Sequence, residues 1–153
     1  MNTTDNNRIK NRIDTAKAYL DSADILGQKV IDLDPAPTML RALALEIYIK
    51  ALLIFDGKNS RISHELDKGW NKIDAAIREK ILTDATSIMP GHVDFSDMPK
   101  ILKDAKITFL QYRYDFEIYE DEEKYKKVYD FHPNEIQCLC EAIHAILTES
   151  ILE

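Results

Sequence analysis

Glycine occurs only four times in 153 residues, and cysteine only twice. So little glycine leaves few positions for the tight turns that join short strands. No stretch alternates apolar and polar residues for long enough to demand a sheet either. Cys138 and Cys140 stand two residues apart, which on a helix turns their side chains about 200° from each other, too far round to bridge. They read as reduced thiols in a reducing compartment. Basic residues are outnumbered, 20 Lys and Arg against 27 Asp and Glu, for a net charge of −7. That balance argues against a broadly basic nucleic-acid binder and disfavours RNA as a partner. The local group Arg8, Lys10, Arg12 and Lys17, set against Asp5 and Asp14, reads as a solvated helix face. The opening "MNTTDNNRIKNR" has no apolar signal core. The longest apolar run, Ala42 to Phe55, is interrupted by Glu46 and Lys50 and is too short to span a bilayer. The expectation is a cytoplasmic protein that makes no membrane contact.

What is present is helical periodicity. The length suits one domain over 1–153 with a core of its own. Ile9, Ile13, Ala16, Leu20 and Ala23 share one face of a first helix that ends near Gly27. After the break "DLDPAPT", Thr38 is the expected N-cap of a second helix, apolar nearly all round and ended by Gly57. Leu66, Trp70, Ile73, Ile77 and Ile81 predict a third helix, kinked at Gly69. Asp97 and Pro99 open a fourth, whose face is Ile101, Leu102, Ala105, Phe109 and Tyr112. Ile136, Leu139, Cys140, Ile143 and Leu147 mark the last. Before it lies a segment rich in tyrosine, acid and lysine, 112–131, whose conformation periodicity leaves open. The fold class is all-α: an up-and-down bundle of about five helices with that segment before the final one.

Glu46 and Lys50, at i and i+4 with the acid first, are placed to pair with each other or with His64 or Arg113. His64 is expected in the first turn of the third helix as a clamp close to Glu46 or Lys50, its neutral form favoured by the positive helix end. Cys138, Cys140 and His144 do not make a metal site, because only Cys140 and His144 share a face and no second cluster completes a tetrahedron. "GKNS" lacks the upstream glycine of a phosphate loop and follows a helix. The six acids within Asp115 to Glu123 lack the spacing and glycine of a calcium loop. No serine stands in a nucleophile elbow. No cofactor and no metal are expected.

"ALEIYIKALLIFDG", followed by "SHELDKGWNKI", resembles the HEPN superfamily of small helical domains. The residues that carry the resemblance are Glu46 and Lys50 on the second helix, then His64, Glu65 and Leu66 at the opening of the next. "FLQYRYDFE" is similar to a segment after the fourth helix of stand-alone members, which brings in Arg113, Tyr114 and Glu117. The resemblance implies a bundle that often homodimerises and a role in prokaryotic RNA-related defence or toxin–antitoxin biology. Active members are metal-independent ribonucleases with an arginine followed, after four to six residues, by a histidine. In that chemistry the histidine serves as general base while the arginine stabilises the phosphorane. Here only two residues separate Arg61 from His64, and no other arginine precedes a histidine at the required spacing. The expected function is therefore a binding or dimerisation module, with the tyrosine-rich segment 112–131 as the candidate contact surface. One alternative is a divergent ribonuclease toxin using His64 with Arg61 or Arg113. Another is a histidine phosphotransfer module, since "HELDKG" is similar to that family's histidine motif with Asp67 as an extra residue.

Overall fold

A computed structural model describes residues 3–29, 36–112 and 132–152. They form six helices: α1 (Thr3–Lys29), α2 (Ala36–Phe55), α3 (Leu66–Lys72), α4 (Ala75–Ile88), α5 (Met98–Tyr112) and α6 (Pro133–Leu152). There is no strand among the described residues. The fold is an all-α bundle with α2 at its centre, packed against α1, α3, α5 and α6, while α4 packs on α6. Ala44, Leu45, Tyr48, Ile49, Ala51, Leu52 and Leu53 are all fully buried, so neighbours surround nearly the whole of α2. Burying one leucine or isoleucine side chain of this kind contributes about 1.5–3 kcal/mol.

Two bonds fix the direction of α6. Arg41 donates from Nε to Gln137 Oε1 at 3.2 Å, and seven residues further along α2 Tyr48 meets His144 at 3.0 Å. The separation in sequence is 96 residues in both cases, so α2 and α6 run parallel in constant register. Arg41 Nη2 also donates to Asp24 Oδ1 on α1 at 3.1 Å. At the start of α6, His132 Nε2 lies 3.1 Å from Asp104 Oδ2 on α5, and Lys100 Nζ donates to that oxygen at 2.6 Å.

Several boundaries differ from the sequence expectation. The first helix runs through Gly27 to Lys29, and the second begins at Ala36, which places Thr38 inside its first turn and not at its cap. At its other end α2 closes on Gly57 as expected. Gly57, at φ 68°, donates to Ile54 O at 3.0 Å, and Lys58 donates to Leu53 O at 2.7 Å. That is the paired geometry of a left-handed helix stop. Asp97 caps α5, its Oδ1 accepting from Lys100 N at 3.1 Å.

The expected third helix is two helices, and the break falls at Ile73–Asp74, with no kink at Gly69. Ile73 is extended, with ψ 142°. Asp74 caps the new helix by accepting from Ala76 N at 2.8 Å, and its own N–H donates to Asp56 Oδ2 at 2.8 Å. Gly69 stays helical because the chain needs its lack of a side chain for close approach. A Cβ there would lie 2.6 Å from Ile62 Cδ1 and 2.9 Å from Ile49 Cγ2.

Candidate functional site

Glu46 sits in the middle of α2 and is only 4% exposed. A carboxylate this deep must be paired and hydrogen-bonded on both oxygens to be tolerated. Both are occupied. Lys50, one turn on, donates to Oε1 at 2.5 Å, and His64 Nδ1 lies 2.8 Å from Oε2. The imidazole donates its Nδ1 proton to the carboxylate in either charge state of the ring. The motif residues Glu46, Lys50 and His64 thus form one cluster that joins α2 to the loop before α3.

His64 lies outside the helix it was expected to open, because α3 begins at Leu66. Its φ of 53° is in the left-handed region, which for a non-glycine residue costs on the order of 1 kcal/mol. Buried Ile62 and Leu66, on either side, hold the chain in that conformation, and the turn aims the ring at Glu46. The His64 side chain remains 40% exposed, so the ring is reachable from outside. A histidine in a loop also lacks the mid-helix setting on which a phosphotransfer module depends.

Among the described residues, Glu65 and Arg61 make their bonds outside the cluster. Glu65 takes the N-cap position of α3 but makes no cap bond, and pairs with Lys68 at 2.7 Å. Arg61 is exposed, and its backbone N–H donates to Asn59 Oδ1 at 2.9 Å. Arg113, Tyr114 and Glu117, with the rest of 113–131, lie outside the described residues; Tyr112 ends α5. On α1, Arg8 pairs with Asp5 at 3.1 Å and Lys17 with Asp21.

A second polar locus escaped the sequence reading. Tyr48 is fully buried, and its hydroxyl meets His144 Nδ1 at 3.0 Å, the two rings edge-on at 82°. They line a cavity of about 190 Å³ between α1, α2 and α6, together with Lys17, Asp21, Asp24 and Glu141. Burial raises the Tyr48 phenol far above its ordinary value, assisted by Cys140, Asp21 and Glu141. Burial and then Lys17 lower the His144 imidazole, against Asp21 and Asp14. The pair is therefore held neutral, a phenol against an imidazole. Cys140, which shares a face with His144, is buried without a bridge, and burial pushes its thiol up as well. The signal that was available is that a tyrosine inside an apolar helix needs a hydroxyl partner. Spacing alone does not name that partner 96 residues away. Among the described residues no group of three His, Cys, Asp or Glu side chains is placed to hold a metal. No helix described is long and apolar enough to cross a membrane.

Compared with family models, curated proteins and solved structures, the chain matches none. The HEPN resemblance therefore stands on the motif residues themselves.

Proposed function

We propose that this protein is a HEPN-like helical module that acts by binding, as a homodimer or on a protein partner, in prokaryotic RNA-related defence or toxin–antitoxin biology. The observation that carries this reading is the Glu46 cluster. The acid, lysine and histidine of the motif satisfy one another across an inter-helix contact, with both carboxylate oxygens occupied. Such a cluster fixes the α2–α3 junction. The excess of acid weakens any approach of an RNA backbone further.

A second reading draws on one feature of the same cluster. Glu46 stands behind a part-exposed His64, as carboxylates stand behind catalytic imidazoles, and that arrangement suits a metal-independent ribonuclease. The two readings separate in an RNA-cleavage assay run in EDTA on wild type, His64→Ala, Arg61→Ala and Arg113→Ala, each first shown to be folded by circular dichroism. We expect no cleavage by any of them, and a dimer or a partner complex by analytical ultracentrifugation. Wild-type cleavage that disappears in a folded His64→Ala variant would replace the first reading with the second.

A further inference from the structure

We draw no further inference here: the strongest candidate, the cavity between α1, α2 and α6 lined by Tyr48 and His144, carries nothing, because Tyr48 is sealed from solvent with its hydroxyl on His144, and the acids around the pair, Asp21, Asp24 and Glu141, already bond to Lys17, Arg41 and Gln137 with no second observation of what would fill the space.

Discussion

At the scale of single residues, Glu46 is the most exacting choice in the chain. An alanine there would leave Lys50 and His64 beside a hole with no acceptor between them, and charge-assisted bonds of this kind contribute about 1.5–3 kcal/mol each. Glu46→Ala should therefore lower unfolding stability by about 2–4 kcal/mol in urea, against a smaller loss for Glu46→Gln, which keeps the volume and one acceptor. Equal losses for the two variants would mean that packing, and not the cluster, decides.

His144 gives a pH signature. Its folded-state value lies below the ordinary 6.5, through burial first and Lys17 second, so the unfolded chain takes up the proton more readily. The stability this neutral histidine contributes is fully present above about pH 6.5 and is lost as the pH falls through its lowered folded value. Urea midpoints should drop on acidification across that window, and His144→Phe should flatten that part of the curve. A slope unchanged in the variant would place the titration elsewhere.

At the scale of elements, two glycines behave oppositely. Gly69→Ala puts a methyl group against Ile62 and Ile49 and should cost about 1–3 kcal/mol despite the better helix propensity of alanine. Gly57→Ala meets open space, and its penalty of about 1 kcal/mol comes from the left-handed backbone alone. Thermal melts of both variants, with Ile62→Val combined with Gly69→Ala, would tell the two causes apart: only the Gly69 loss should be partly relieved by a smaller neighbour. These glycines also show what the sequence could and could not reveal. Helical faces were legible because burial follows a 3.6-residue period, and Ile9, Ile13, Ala16, Leu20 and Ala23 are all inside. Gly57 was legible as a stop because it follows the last apolar turn. Gly69 was misread as a kink, since a glycine needed for close approach looks the same in one dimension as one that bends a helix. The real break at Asp74 depends on Asp56, eighteen residues back, and long-range partners leave no local mark. His64 met Glu46 by a left-handed turn that no period signals, although the two residue types had already singled themselves out on charge and position.

At the scale of the whole molecule, the two thiols are internal reporters. Cys138 and Cys140 are unbridged and fully buried, and burial raises the Cys138 thiol to about 11. Both should resist an aromatic disulfide reagent in the native protein and react together at the rate of global opening. Rapid labelling of either one without denaturant would reveal a local opening of α6. The central position of α2 has a consequence for synthesis as well. Its apolar surface is covered in part by α6, whose Ile136, Leu139, Ile143 and Leu147 are buried, and α6 is translated after the other described helices. At usual elongation rates roughly ten seconds separate the emergence of α2 from that of its last cover. Throughout that interval the growing polypeptide leaves the sticky side of its own centre open to water and to neighbouring chains.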